Sequence, residues 1–278
     1  MPTTQARIAF IGGGNMARGL VTGLLADGHD PAAVYVSDPD SDKHAHFEQV
    51  CGVTVTHRNT EACAGAEVVV LCVKPQQAEA VCREIGAALS EPIPLFISIM
   101  AGVSEANICR WLEREVPLVR AMPNTPAMLR SGAIGLHANP TTTAAQRNLA
   151  EEILRAGGLT CWVDNESQMD TVTAVSGSGP AYFFLLMEAL EQAGIEQGLE
   201  PETARLLSMQ TALGAARMAV ESEDPPSRLR EHVTSPGGTT ERALAELTAG
   251  DFSGLVGRAV AAAKRRAQEL AGGGGRSQ

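Results

Sequence analysis

Short β-strand patterns alternate with helical patterns from residue 7 to about residue 164, and this alternation restricts the fold more than any other feature. Runs rich in Val, Ile and Leu predict strands over 7–11, 34–37, 53–55, 68–73, 95–98, 118–121, 132–137 and 159–163. Strands that alternate with helices are joined by crossover connections and lie parallel. The pattern therefore predicts an α/β fold with a doubly wound parallel sheet.

The strand pattern ends at about residue 166 and gives way to helices. Composition and helical period predict helices over 180–193, 201–222, 240–248 and 252–271, several with Pro in the first turn or Gly beyond the end. We therefore predict two domains, a sheet domain over 1–165 and an all-α domain over 166–278.

A small bundle within one chain would not easily cover two segments of the second half, AYFFLLMEAL and QTALGAARMAV, the latter rich in small residues that allow close helix packing. The segment AYFFLLMEAL is apolar around nearly its whole circumference. In the last helix, apolar residues recur at spacings of four and three and form a seam: Val256, Val260, Ala263, Ala267 and Leu270. These features favour association of two or more copies through the helical half. The alternative is an ordinary buried core within one chain.

Charge and hydropathy exclude several kinds of partner. The 278-residue chain has a formal net charge of −10, which argues against a nucleic-acid or anionic-membrane surface. Its longest aliphatic stretch, 68–73, is too short to span a bilayer. We therefore expect a small-molecule partner, no nucleic acid, no membrane and a cytoplasmic location.

The six cysteines form no C-x-x-C pair and have no histidine at zinc-binding spacing. They are typical of reduced, mostly buried thiols. His44 and His46 lie in a polar segment, and a solvated helix surface explains them better than a metal site does. We expect no bound metal.

Three consecutive glycines follow the first predicted strand in RIAFIGGGNMARGL. The pattern Gly12-x-Gly14-x-x-Ala17 between a strand and a helix is the context of a dinucleotide-binding turn. Gly12 permits a tight turn, Gly14 lets backbone N–H groups approach a pyrophosphate, and Ala17 lets the helix pack on the strand. The sequence thus predicts a Rossmann-type domain; a plain glycine-rich turn is the alternative.

The second predicted strand ends at VSDPDSD, where such domains contact the adenosine ribose. An acidic residue there accepts from a free 2′-hydroxyl, so Asp38 favours NAD. The hydroxyl of Ser37 and the backbone amides of the turn could instead accommodate a 2′-phosphate. These residues alone leave the choice between NAD and NADP open.

Two further loops follow predicted strands, and ligands of open α/β sheets bind at the carboxyl ends of strands. CVKPQ places Lys74 there, facing either the bound ligands or solvent. SIMAGVS presents Ala101 and Gly102, which are small enough for a nicotinamide ring to lie against the main chain.

A Gly-, Ser- and Thr-rich turn precedes a predicted helix in VTSPGGTTERAL. Unpaired N–H groups and hydroxyls at this helix start would converge on a small anion such as a carboxylate. The alternative for Ser235 and Thr239 is simple N-capping. Capping alone leaves the adjacent Gly237 and Gly238 unexplained.

Taken together, five segments resemble pyrroline-5-carboxylate reductase: FIGGGNMARGL, VVVLCVKPQ, RAMPNTPA, AVSGSGPAYFFLLMEAL and VTSPGGTT. The resemblance spans almost the whole chain in order, and REHVTSPGGTTERAL is its most specific part. It implies an N-terminal Rossmann domain and a C-terminal helical domain that forms a homodimer, often within a ring of dimers. It also implies reduction of L-1-pyrroline-5-carboxylate to L-proline, the last step of proline biosynthesis, with NADPH preferred and NADH possible.

The resemblance also implies which residues contact the ligands. The cofactor contacts fall on Ile11, Gly12, Gly13, Gly14, Asn15, Met16, Ala17, Ser37, Asp38, Asn59, Cys72, Val73, Lys74, Pro75, Met100, Ala101 and Gly102. The substrate contacts fall on Glu166, Ser235, Gly237, Gly238, Thr239 and Thr240. In this interpretation the substrate carboxylate binds around Ser235, and the catalytic residue Thr240 hydrogen-bonds the ring nitrogen.

Two other functions fit parts of the sequence. A related imine reductase or a β-hydroxyacid dehydrogenase would share the architecture, but the latter normally places a catalytic Lys on the central helix, and 178–197 contains none. A dinucleotide-binding regulatory module without turnover would not need an intact SPGGTT turn. Oxidation of NAD(P)H by the cyclic imine would exclude that module.

Overall fold

Contacts divide the chain into two units, and the computed structural model describes residues 5–272. One unit extends to Ser178 and also includes the end of the last helix from Ala263; the other is Gly179–Ala262. Residues 166–178 thus contact the sheet unit, although their sequence has no strand pattern. The domain boundary at 165/166 stays a prediction, and each unit is described by itself.

The first unit is built on one eight-stranded sheet of order β3-β2-β1-β4-β5-β6-β7-β8. Its strands are β1 Ile8–Ile11, β2 Val34–Ser37, β3 Thr54–Thr56, β4 Val68–Leu71, β5 Leu95–Ser98, β6 Leu118–Met122, β7 Gly132–Ala138 and β8 Gly158–Trp162. This order, with crossover helices, confirms the predicted α/β class with a Rossmann-type doubly wound sheet.

The last two strands depart from the predicted all-parallel arrangement. Strands β1 to β6 are parallel, whereas β7 is antiparallel to β6, and β8 is parallel to β7. A parallel neighbour needs a crossover of about a dozen or more residues. The connection over 123–131 is shorter than that, so β7 returns along β6 instead.

Helices cover both faces of the sheet. They are α1 Asn15–Ala26, α2 Asn59–Cys63, α3 Ala78–Ala88, α4 Glu105–Leu112 and α5 Ala144–Arg155, followed by the short α6 Met169–Val172. Alternate residues of β1 enter two separate apolar clusters: Ile8 and Phe10 lie in one, and Ala9 and Ile11 lie in the other. Because both faces are buried, the ends of the strands are where the unit can bind a ligand.

The second unit is helical, as predicted. The helices are α7 Gly179–Glu196, α8 Pro201–Glu221, α9 Pro226–His232, α10 Thr239–Ala249 and α11 Phe252–Gly272, whose last turns belong to the first unit. The sequence analysis missed α9, because PSRLREH is short and mostly polar. The other four differ from their predicted bounds by only a few residues.

Large apolar side chains are exposed on these helices. On α7, Phe183, Phe184 and Leu185 are 63 to 65% exposed, and Leu206 and Leu207 on α8 are more than half exposed. Exposed large apolar side chains in such number favour an interaction surface on these helices. Within residues 5–272, no helix combines the length and the hydropathy needed to cross a membrane.

Candidate active site

The glycine turn after β1 begins with a close approach to the end of β4. Gly12 has φ +102°, and a Cβ at this position would lie 2.8 Å from the carbonyl oxygen of Cys72. Its N–H donates to the carbonyl oxygen of Ser37 at 2.8 Å. Only glycine has the conformation and the small volume that this position requires.

The next part of the turn opens onto free space. Gly14 is the N-cap of α1, and a Cβ there would meet no atom within 4 Å among the described residues. Glycine has no side chain to cap the helix, so the first N–H groups of α1 stay available to a ligand. Ala17 is fully buried and lets α1 pack on the sheet. The cradle that a Cβ would fill, together with these N–H groups, fits a dinucleotide pyrophosphate.

Asp38 faces the glycine turn rather than solvent. It is 4% exposed, and its carboxylate accepts from the N–H of Gly13 at 2.8 Å, the N–H of Asp40 at 2.9 Å and Nζ of Lys43 at 3.0 Å. Burial alone would raise the pKa of Asp38, but these hydrogen bonds outweigh it and the pKa is lowered. Asp38 therefore stabilises the turn, and Lys43 pairs with its charge.

Lys43 is absent from the cofactor contacts that the sequence analysis assigned. The sequence signal was present, since this lysine follows Asp38 by five positions in a polar segment. Ser37 and Asn59, which the sequence analysis assigned, do meet: the Ser37 hydroxyl donates to Oδ1 of Asn59 at 2.6 Å. The side-chain amide of Asn59 in turn donates to Glu84 at 2.8 Å.

The other two loops that the sequence analysis assigned to the cofactor lie at the ends of neighbouring strands. Cys72–Pro75 follows β4, and Met100–Gly102 follows β5. Lys74 is exposed, whereas Met100 is 2% exposed and Gly102 has φ +72°. Because β1 to β5 are parallel, all the cofactor residues assigned from the sequence lie on one side of the sheet, at the carboxyl ends of these strands.

Four ionisable side chains lie close to the second of these loops: Glu105, Arg120, His137 and Glu166. Glu166 Oε1 accepts from Arg120 Nη1 at 2.9 Å and from the N–H of Glu105 at 2.8 Å. Glu105 Oε1 lies 2.6 Å from His137 Nδ1. Burial raises the pKa of Glu105; His137 opposes that rise, and the nearby Glu166 charge adds to it. Of the four, only Glu166 was identified from the sequence.

The turn before α10 lies in the second unit. Gly238 is the N-cap of α10, so neither Ser235 nor Thr239 occupies the capping position. Gly237 has φ +72°, and its N–H donates to Oε2 of Glu241 at 2.7 Å. Thr240 is half-buried, in the first turn. The sequence analysis did not foresee Glu241, which takes one of the donors expected to hold an anion.

The structure therefore groups the residues assigned from the sequence into two sets. The cofactor residues and Glu166 lie in the sheet unit, and Ser235, Gly237, Gly238, Thr239 and Thr240 lie in the helical unit. A Rossmann-type sheet with an open glycine turn at the carboxyl ends of its strands defines the class: a dinucleotide-binding protein.

Comparison with known proteins gives the family. The family model for pyrroline-5-carboxylate reductase dimerisation matches residues 166–270, and the model named NADP oxidoreductase coenzyme F420-dependent matches 7–102. The pyrroline-5-carboxylate reductase of Pseudomonas aeruginosa is 51% identical over 265 residues, covering 95% of this chain and 97% of that protein.

Two solved structures agree with this relationship. A pyrroline-5-carboxylate reductase from Coxiella burnetii is 50% identical with a TM-score of 0.93, covering 96% of this chain and 99% of the other. Plasmodium falciparum pyrroline carboxylate reductase with NADP bound is 28% identical with a TM-score of 0.82, covering 96% and 98%. The chain belongs to the pyrroline-5-carboxylate reductase family, whose members are NAD(P)-dependent oxidoreductases of proline biosynthesis.

The glycine turn can be tested by comparing two of its positions. Gly14→Val places its side chain in open space at φ −73°, so we expect a melting temperature close to that of the parent protein. The same side chain fills the pyrophosphate position and should weaken NADPH binding by at least about tenfold. Titration of nicotinamide fluorescence measures this change.

Gly12→Val is the matched comparison. Its side chain would meet the Cys72 carbonyl at a φ that valine rarely adopts, so it should lower the melting temperature as well. Unchanged NADPH affinity in a folded Gly14→Val protein would show that this turn does not hold the cofactor.

Proposed function

We propose that this chain reduces L-1-pyrroline-5-carboxylate to L-proline, prefers NADPH to NADH, and uses the residues named below. The observation that carries the proposal is the open N-terminus of α1 over Gly14, where backbone N–H groups face free space. Family membership supports the choice of substrate, because relatives at 51% and 43% identity bear the reductase name.

The cofactor residues divide by the part of the dinucleotide that each would hold. Residues Ile11–Ala17 take the pyrophosphate at the positive end of α1. Ser37, Asp38 and Asn59 lie at the ends of β2 and β3, on the adenosine side. The segments Cys72–Pro75 and Met100–Gly102 lie on the nicotinamide side.

Two basic side chains near the adenosine side, Lys43 and Arg58, support the preference for NADPH. Lys43 neutralises the Asp38 carboxylate, which otherwise would repel a 2′-phosphate. Arg58 follows β3, and its side chain is 75% exposed beside Glu61. The NADP bound in the Plasmodium falciparum relative is consistent with this assignment. NADH remains a second, weaker cofactor in this proposal.

The turn before α10 supplies the substrate groups. Ser235 and the amide of Thr239 hold the substrate carboxylate at the positive end of α10, and the hydroxyl of Thr240 hydrogen-bonds the ring nitrogen. Gly238 contributes as the N-cap without a side chain, because its N–H donates to the Ser235 carbonyl oxygen at 3.0 Å. Gly237 contributes its left-handed conformation, since Glu241 takes its N–H. Glu166 is retained as a substrate contact that the family resemblance implies.

The chemistry needs little acid catalysis from the protein. NADPH, when bound, supplies a hydride to ring carbon C5. A protonated imine is already electrophilic, so the residues contribute mainly by holding the two rings in a reactive orientation. As the hydride adds to C5, the C=N electron pair moves onto the ring nitrogen, which Thr240 hydrogen-bonds. The Thr240 hydroxyl or a water then relays the proton that converts the resulting amine into the ammonium form of the product.

Assembly is the remaining part of the proposal. We assign residues 166–278 to a dimerisation and substrate domain and residues 1–165 to the dinucleotide domain. The exposed aromatic residues of α7 and the match to the dimerisation family over 166–270 support a homodimer. In this proposal the homodimers assemble further into a ring of dimers. The protein is located in the cytoplasm.

The cofactor preference can be tested by steady-state kinetics with NADPH and NADH. The parent protein should have the higher kcat/KM with NADPH. Lys43→Gln should lower kcat/KM for NADPH by about tenfold and leave NADH use within about threefold, because the unneutralised Asp38 carboxylate then repels the 2′-phosphate. A parent protein that prefers NADH would contradict the assignment. Lys264→Gln, in the last helix, is the control.

The role of Thr240 can be separated from helix capping. Thr240→Val keeps the branched shape but removes the hydroxyl, so kcat/KM should fall about 10- to 100-fold, as expected for one charge-assisted hydrogen bond of about 1.5–3 kcal/mol. NADPH affinity and melting temperature should stay nearly constant. Thr239→Val, which keeps the amide, is the matched control. An active Thr240→Val protein with a lowered melting temperature would reduce Thr240 to a structural residue.

Oligomeric state can be measured by light scattering at micromolar concentration. We expect at least twice the 29.1 kDa mass of one chain. Phe184→Asp puts a charge on the exposed face of α7 and should shift the protein towards the single-chain mass. Leu129→Asp, at a side chain 81% exposed in the sheet unit, should leave the mass unchanged. A single-chain mass for the parent protein would contradict the proposed dimer.

A further inference from the structure

The loop over 99–104 joins the end of β5 to the start of α4 and carries three of the proposed cofactor contacts. Its first end is fixed by the sheet, where Ser98 is the register partner of Arg120 on β6. Arg120 is in turn the register partner of His137 on β7. Register partners on adjacent strands present their side chains on the same face, so the three groups line up across the sheet.

The second end of the loop is fixed by Glu166. Glu105 is the first residue of α4, where the backbone N–H has no partner within its own helix. Glu166 Oε1 accepts from this N–H at 2.8 Å and from Arg120 Nη1 at 2.9 Å. One carboxylate oxygen thus connects two elements. It binds β6 through Arg120, beside the start of the loop, and it binds α4 through the Glu105 N–H, at the end of the loop.

The carboxylate also matches its electrostatic surroundings. It lies against the positive end of α4 and pairs with Arg120, whose side chain is 8% exposed. On the other side, Glu105 and His137 form a second buried pair, with side chains 10% and 13% exposed. Removing Glu166 would leave the charge of the buried Arg120 unpaired, which is costly.

We propose that Glu166 is a positioning residue that holds the loop over 99–104 in the form that the nicotinamide end of the cofactor requires. The inference rests on the proposed function in one respect, the assignment of Met100, Ala101 and Gly102 as cofactor contacts. The proposed role belongs to Oε1 of Glu166 and affects cofactor binding before any substrate is present. A contact between Glu166 and the substrate alone would not affect cofactor binding in the absence of substrate.

The test compares three variants of the full-length protein. Glu166→Ala removes both hydrogen bonds, and Glu166→Gln keeps an acceptor for the Glu105 N–H but loses the charge. Glu67→Ala is the matched control: its carboxylate accepts the N–H of Arg7 at 3.1 Å at the opposite, amino end of the strands. Amide hydrogen exchange of peptides covering 100–106 and 8–14 is measured together with NADPH binding without substrate.

We expect Glu166→Ala to increase exchange across 100–106 but not across 8–14, and to raise the Kd for NADPH about tenfold, through loss of hydrogen bonds to a charged group. Glu166→Gln should give a change of about threefold in the same direction. Glu67→Ala should alter neither quantity. This pattern distinguishes positioning from a general loss of stability, which would increase exchange in both peptides.

Unchanged exchange over 100–106 together with unchanged NADPH affinity would overturn the proposal, even if KM for pyrroline-5-carboxylate rose. Should Glu166→Ala fail to fold, the same unchanged pair of values in Glu166→Gln would overturn it. Failure of the proposed function has a different signature, since the parent protein itself would then bind no NADPH while the exchange measurement still reports on the loop.

Discussion

The site depends on the close approach of two backbone segments, the turn at Gly12 and the end of β4 at Cys72. A Cβ on residue 12 would lie 2.8 Å from the Cys72 carbonyl oxygen, so the hydrogen-bonded spacing of β1 and β4 can continue into the turn only because residue 12 has no side chain. That approach directs the chain into α1 with its first N–H groups unpaired. A bulkier residue at this position would displace the helix start on which pyrophosphate binding relies.

Asp38 shows how an acidic residue proposed to contact the cofactor can also stabilise the protein backbone. Its carboxylate accepts the N–H of Gly13, so the same charge that would lie near the ribose holds the glycine turn. The lowered pKa of Asp38 keeps this acceptor ionised well below neutral pH. Since the folded-state pKa is depressed, this contribution to stability is present at neutral pH and is lost as the pH falls through that pKa.

Sequence reasoning succeeded where the determinants are local. The strands, the glycine turn and the start of α10 within one residue of its predicted position follow from periodicity and from residues adjacent in the chain. The reversed direction of β7 depends on the length of the connection over 123–131, a signal that was present but not weighed. The contact between Glu166 and the Glu105 N–H joins residues 61 positions apart, and no local pattern predicts it.

Both proposed anion sites use the same physical device in different units. The helices α1 and α10 each begin at a glycine N-cap, so neither helix start can be capped by the side chain of its own N-cap residue. Uncapped N–H groups at a helix start need water or a ligand as acceptor, and the helix dipole makes an anion the better one.

The two starts differ in charge: the first turn of α1 has no acidic residue, whereas α10 has Glu241 in its first turn. An acidic side chain in the first turn competes with a bound anion for the N–H donors and the positive potential of the helix start. The α1 start therefore suits a doubly charged pyrophosphate. The α10 start suits a singly charged carboxylate, to which the Ser235 hydroxyl can donate independently of the helix amides.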